Sequence, residues 1–168
     1  MNASIVIMGV AGCGKSHIGS ALAAAEGWRL IEGDDFHSET SHQKMSQGIA
    51  LTDADREGWL AQLGHLLAQS PAPVVLTCSA LKRQYREQLR AASPGLRFVF
   101  LQITREESLA RVAARASTHF FPTALVDNQF ATLESPVNEP NTLALDATLS
   151  VEQLQRQISA WLRQGVCA

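Results

Sequence analysis

The run Gly9-Val10-Ala11-Gly12-Cys13-Gly14-Lys15-Ser16 sets glycines, a lysine and a hydroxyl at the spacing G-x-x-x-x-G-K-[ST]. Residues of these types at this spacing can hold a chain of phosphates. Gly9, Gly12 and Gly14 permit backbone conformations and close approach that a Cβ would obstruct, so successive N–H groups can converge on one anion. Lys15 is expected to reach the β- and γ-phosphates, and the Ser16 hydroxyl to ligate Mg²⁺. His17 follows at the start of a predicted helix, which turns the positive pole of its dipole toward the same point. The chemistry implied is the binding of a nucleoside triphosphate.

A carboxylate and two arginines could turn binding into phosphoryl transfer. Asp34 follows a second predicted strand that is expected beside the first, which would bring its carboxylate near the γ-phosphate. There it could orient an acceptor hydroxyl and take its proton, or hold Mg²⁺ through water. It could equally cap the following turn, and Asp35 offers the same chemistry from the next position. Arg111 and Arg115 lie four apart on one predicted helix and share a face. They precede the irregular run Ser117-Thr118-His119-Phe120-Phe121-Pro122, which suits a small lid over about residues 116–124 that closes over ATP and excludes water. The alternative is a solvated helix face paired with Glu107 or Asp127.

The elements that must position these groups alternate between strand and helix. Strands are predicted over residues 4–8, 28–32, 74–78, 97–103 and 143–146, and helices over 17–26, 82–92, 106–116, 123–133 and 151–163. Residues 38–48 read as a short helix plus loop. Thr52 is a candidate N-cap for a helix whose apolar positions Trp59, Leu60, Leu63, Leu66 and Leu67 share one face. This order predicts an α/β fold: a five-stranded parallel sheet with helices on both faces, in a single domain over residues 1–168. Ligands of such sheets bind outside the carboxyl ends of the strands, where the phosphate loop, Asp34 and the run Ser79-Ala80-Leu81-Lys82 all fall.

Composition narrows the function further. Of the 168 residues 46% are hydrophobic and 18% charged, as in an ordinary folded domain, and the net charge of −2 speaks against a nucleic-acid or membrane-surface binder. No apolar run approaches the ~20 residues of a membrane span. Three cysteines without metal-ligand spacing read as free thiols, so a cytoplasmic setting is expected. No N-K-x-D motif of guanine specificity occurs, and the third strand ends Thr77-Cys78-Ser79 without the acidic pair of many ATPase motors.

Together the residues resemble the gluconokinase family of small phosphate-loop kinases over nearly the whole chain. The resemblance rests on residues 9–16, Glu32-Gly33-Asp34 with His37, and Lys44-Met45 with Gly48 and Leu51. It continues through Asp53, Asp55-Arg56 and Trp59-Leu60, then Cys78-Ser79-Ala80-Leu81-Lys82 with Tyr85-Arg86 and Leu89-Arg90. Arg111, Arg115, His119-Phe120, Gln129-Phe130, Leu133-Glu134 and Pro136 complete it. The chain departs from the family pattern at Ser38 and Gly58, where proline is usual, at Ser41, where asparagine is usual, and in Ala116-Ser117-Thr118 before His119.

The resemblance implies ATP- and Mg²⁺-dependent phosphorylation of D-gluconate at its 6-hydroxyl, by a P-loop fold that commonly forms a homodimer. An anionic polyol needs cations away from the transfer point and hydrogen-bonding groups between. Lys44, Arg56, Lys82 and Arg86 supply the former, and His37, Ser79, His119 and Gln129 the latter. A nucleoside monophosphate or shikimate-type kinase on the same fold, or a nucleotide-binding regulatory module, remain as alternatives.

Overall fold

Alternation of side chains along the strands decides the architecture. In β1 (Ile5–Met8), Ile5 and Ile7 join one apolar cluster, Val6 and Met8 join another, and all four are fully buried. β3 (Val74–Thr77) and β4 (Arg97–Gln102) repeat the pattern, with Val75, Val99 and Leu101 on the first face and Val74, Leu76, Phe98 and Phe100 on the second. Strands buried on both faces require a helical layer on each.

The computed structural model describes residues 3–115 and 123–164. Its sheet runs β2-β3-β1-β4-β5, with β2 at Arg29–Glu32 and β5 at Thr142–Asp146, and every neighbouring pair is parallel. α1 (Lys15–Glu26) and α7 (Val151–Gln164) cover the first face through Ile18, Leu22, Leu154, Ile158 and Leu162. α3 (Asp53–Gln69) and α4 (Arg83–Ala92) cover the second through Trp59, Leu60, Leu63, Tyr85 and Leu89. α2 (Glu39–Ser46), α5 (Arg105–Ala114) and α6 (Thr123–Thr132) complete the described helices. The expected five-stranded parallel sheet with helices on both faces is present. Residues 116–122 of the expected lid, His119 among them, lie outside the described residues.

One expectation is corrected. β2 does not lie beside β1; β3 stands between them, and β2 forms the edge. The reason lies in composition: all four residues of β3 are buried, whereas β2 begins with exposed Arg29 and ends with half-buried Glu32, a pattern that fits an edge. Beyond Glu32 the chain does not continue as strand but tightens into one 3₁₀ turn, Gly33–Phe36.

The helix starts differ in a way that bears on ligands. α3 opens with a capping box: the Asp55 N–H donates to Thr52 Oγ1 (3.1 Å) and the Thr52 N–H donates to the Asp55 carboxylate (2.9 Å). Ser38 caps α2, and Thr104 caps α5. α1 has neither a capping side chain nor an acid in its first turn, so its leading N–H groups face outward unsatisfied by the chain's own side chains.

Candidate active site

The loop between β1 and α1 is braced from three directions. Gly9, at φ 148°, admits no side chain, since a Cβ there would stand 2.7 Å from Cys13 Sγ and 3.1 Å from the Leu101 carbonyl. The Ala11 N–H donates to Gln129 Oε1 on α6 (2.6 Å), and the Ala11 carbonyl accepts from Ser108 Oγ on α5 (2.7 Å). Arg111 donates to the Gly12 carbonyl (3.2 Å) and to the Ala147 carbonyl beyond β5 (3.1 Å), joining the loop to the far side of the sheet. Lys15 Nζ lies along the loop, donating to the carbonyls of Gly9 (3.0 Å) and Val10 (3.2 Å).

The edge strand delivers two acids beside this loop. Glu32 Oε2 accepts from Ser16 Oγ (3.0 Å) and from Thr77 Oγ1 (2.5 Å), so a carboxylate of β2 and two hydroxyls meet at the start of α1. Gly33 makes this approach possible, because a Cβ there would lie 2.3 Å from the Thr77 carbonyl oxygen. Two residues on, Asp34 enters a cavity of about 160 Å³. Lys15, Ser16, Arg56, Ser79, Arg115 and Gln129 also line it, with His37, Trp59, Met45 and Leu51 forming its floor and wall. Asp35 is not among the lining residues. Thus β2 places Asp34 in the loop's cavity even though β3 intervenes between the two strands.

His37 and Trp59 stack, with ring centroids 4.0 Å apart and planes 21° from parallel, while Trp59 Nε1 donates to the Gly33 carbonyl (2.8 Å). Trp59 is therefore a core residue, as its helical spacing predicts, and also a wall of the cavity. Burial pushes the His37 pKa down to about 4 against the opposing pull of Asp34, whose carboxylate is 3.7 Å from Nε2. The imidazole is neutral at physiological pH.

Not all the cations expected in the site reach it. Arg56 lines the cavity. Lys44 instead pairs with both oxygens of Asp55 (3.0 Å each), and Lys82 with those of Asp53 (2.9 and 3.2 Å). Arg86 departs furthest from the ligand-binding expectation. It is fully buried, donates to both oxygens of Glu139 (2.8 and 2.6 Å), and holds the carbonyls of Ala80, Leu81 and Glu134. Its charge serves the frame behind the site. Gln129 reaches the cavity but uses its carbonyl oxygen on the phosphate loop. Arg115 closes α5 and borders both this cavity and a second, largely apolar groove of about 350 Å³ lined by His17, Ile18, Arg111, Ala147 and Leu149. Cys78 is buried and its thiol is pushed up to about 12 by burial, so it is packing and not a nucleophile.

Comparison with known proteins gives this arrangement its kin. A family model described as an AAA domain matches residues 5–140. The thermosensitive gluconokinase of Escherichia coli (strain K12) is 39% identical, over 98% of this chain and 92% of its own. The gluconokinase of Gluconobacter oxydans (strain 621H) is 44% identical, over 79% and 75%. Among solved structures, a gluconokinase from Sinorhizobium meliloti 1021 matches with a TM-score of 0.90 and 46% identity, covering 97% of this chain and 93% of that one. The chain belongs to the gluconokinase family.

A kinase of this family works with ATP and a divalent metal, and the residues present fit both. Among the described residues no group of three or more His, Cys, Asp or Glu forms a metal cage. None is needed where nucleotide phosphates and waters complete the shell of a hard cation, and the Ser16 hydroxyl beside the Glu32 carboxylate offers oxygen donors of the right kind. Glu32 is the residue that sequence reading passed over as a site group. Its signal was present: β3 lacks the expected acids, and an acid ends the strand that precedes Asp34.

Proposed function

We propose that this gluconokinase-family chain transfers the γ-phosphoryl group of ATP to the 6-hydroxyl of D-gluconate, giving 6-phosphogluconate and ADP. The observation that carries the reading is the joint presence of Lys15, Asp34 and Arg56 in one cavity. Together they provide a phosphate cation, a proton acceptor and a cation for the substrate's carboxylate. The loop N–H groups and Lys15 would hold the β- and γ-phosphates, and Ser16 with Glu32 would hold Mg²⁺. When bound there, Mg²⁺ would supply neutralisation of the phosphate charge.

Asp34 accepts the proton of the 6-hydroxyl as the O6–P bond forms and the bond from the γ-phosphorus to its bridging oxygen breaks; ADP departs with that electron pair. Arg56 meets the carboxylate, while neutral His37 and Ser79 serve the intervening hydroxyls. Arg115 neutralises charge on the phosphates, Arg111 steadies the loop, and the apolar groove beside them receives the base. In this reading Lys44, Lys82, Arg86 and Gln129 support the site from outside the ligand shell. The chain acts as one kinase domain; the lid over about residues 116–124, with His119, is a proposal from the sequence alone. A cytoplasmic homodimer is proposed from the family resemblance, and the free thiols of Cys13 and Cys78 are compatible with a reducing compartment.

The test is coupled ADP release with ATP and Mg²⁺ across D-gluconate, isomeric sugar acids, shikimate, nucleoside monophosphates and a blank without acceptor. Turnover confined to gluconate, with kcat falling far more than ATP affinity in Asp34→Asn, is the expected result. Turnover with a different acceptor alone, or hydrolysis indifferent to any acceptor, would refute it.

A further inference from the structure

Recognition of a carboxylate by arginine depends on aim, because the guanidinium donates in a fixed plane from the end of a long, rotatable stem. Something must fix Arg56. The structure supplies Tyr85 on α4. Its ring is buried in the α3–α4 core (4% exposed), and its hydroxyl accepts a hydrogen bond from Arg56 Nη1 (3.1 Å). The same hydroxyl donates to Asp53 Oδ1, and Lys82 donates to both oxygens of that carboxylate (2.9 and 3.2 Å). The order of these bonds is forced. Arginine can only donate and an ionised carboxylate can only accept, so the one phenolic proton must point at Asp53 and a lone pair must face Arg56. The Arg56 guanidinium carbon also lies 5.5 Å from the centre of the Tyr85 ring.

We propose that Tyr85, braced by Asp53, is a positioning residue that aims Arg56 at the acceptor's carboxylate and thereby sets the preference for an anionic acceptor. The inference rests on the gluconate reading above. It also accounts for the companion residues: Lys82 and Asp53 anchor the phenol instead of touching substrate.

Tyr85→Phe keeps the ring and deletes the bond, so the KM for gluconate should rise about five- to tenfold while kcat and the KM for ATP stay within about twofold. Asp53→Asn, at the surface, should act in the same direction and carries the test if the buried variant is unstable in thermal unfolding. The decisive readout is the double-mutant cycle. In an Arg56→Met background, adding Tyr85→Phe should change the gluconate KM no further, because the residue acts through the missing guanidinium. A full additional loss in that background, or an unchanged KM in the single variants, overturns the inference while leaving gluconate as substrate. Failure of the unmodified chain to turn over gluconate overturns both, and is distinguished by that first control.

Discussion

His37 lies flat on Trp59 with its side chain 4% exposed, and the cost of charging it there is a statement about pH as well as about chemistry. In the unfolded chain this imidazole takes a proton near its ordinary value of 6.5, but in the folded protein only near pH 4. Stability linked to His37 is therefore complete well above pH 6.5 and is lost as the pH falls through 6.5 toward 4, by on the order of 3 kcal/mol. Asp55 behaves in the same direction but lower. The Thr52 N–H and then Lys44 hold its carboxyl down to about 2, so its contribution fades only below its ordinary 3.8. The two windows can be separated by measuring the melting temperature from pH 7 to pH 4. His37→Gln should flatten the decline seen in the unmodified chain over that interval; an equal slope in both would contradict the assignment. The catalytic window near neutrality is untouched by this group, since it stays uncharged there.

At the scale of elements, the segment after β3 is held in a conformation it would not choose. Ala80 has φ 46°, in the left-handed region that costs a side-chain-bearing residue about 1–2 kcal/mol. Arg86 offsets this by donating to the Ala80 and Leu81 carbonyls while its charge is met by Glu139. Arg90 reaches Glu139 as well (2.9 Å) and stacks over Phe98. What this frame presents is Ser79, whose carbonyl accepts from the Gly9 N–H (3.3 Å) and ties the segment to the phosphate loop. Removing one partner of a buried pair leaves the other uncompensated, so Arg86→Met should destabilise the fold by about 3–5 kcal/mol in urea unfolding. A loss under about 1 kcal/mol would mean that Glu139 finds other partners.

This is also where sequence reading was least able to sort residues. Lys44, Lys82, Arg56 and Arg86 carry the same kind of charge, and only the fold decides which meets a carboxylate of the chain and which meets the cavity. The strands and most helices were legible because their period is local, and Thr52 because a cap is local too. The place of β2 was not, because adjacency in a parallel sheet is decided by residues far apart in the chain. Glu32 went unread for the same reason: its partners, Ser16 and Thr77, lie on two other elements.

At the scale of the molecule, strand order has a consequence for how the protein comes into being. β1 lies at the centre of the sheet, yet its two neighbours arrive late: Ile5 pairs with Val75 on one side and with Arg97 on the other. β2, the next strand along the chain, cannot pair with β1 and waits for the same β3. No ladder of β1 can therefore form until the chain has closed a loop that spans α1, α2 and α3, and the entropy of that closure precedes any reward from the centre of the sheet. Refolding from urea under pulsed hydrogen exchange should show amides of β1, β3 and β4 gaining protection together, in one phase that follows early protection within α3. Protection of β1 ahead of β3 would contradict this order. The phosphate loop springs from β1, so nucleotide binding is acquired late and all at once. A chain interrupted before β3 holds the complete nucleotide-binding motif with no sheet on which to display it.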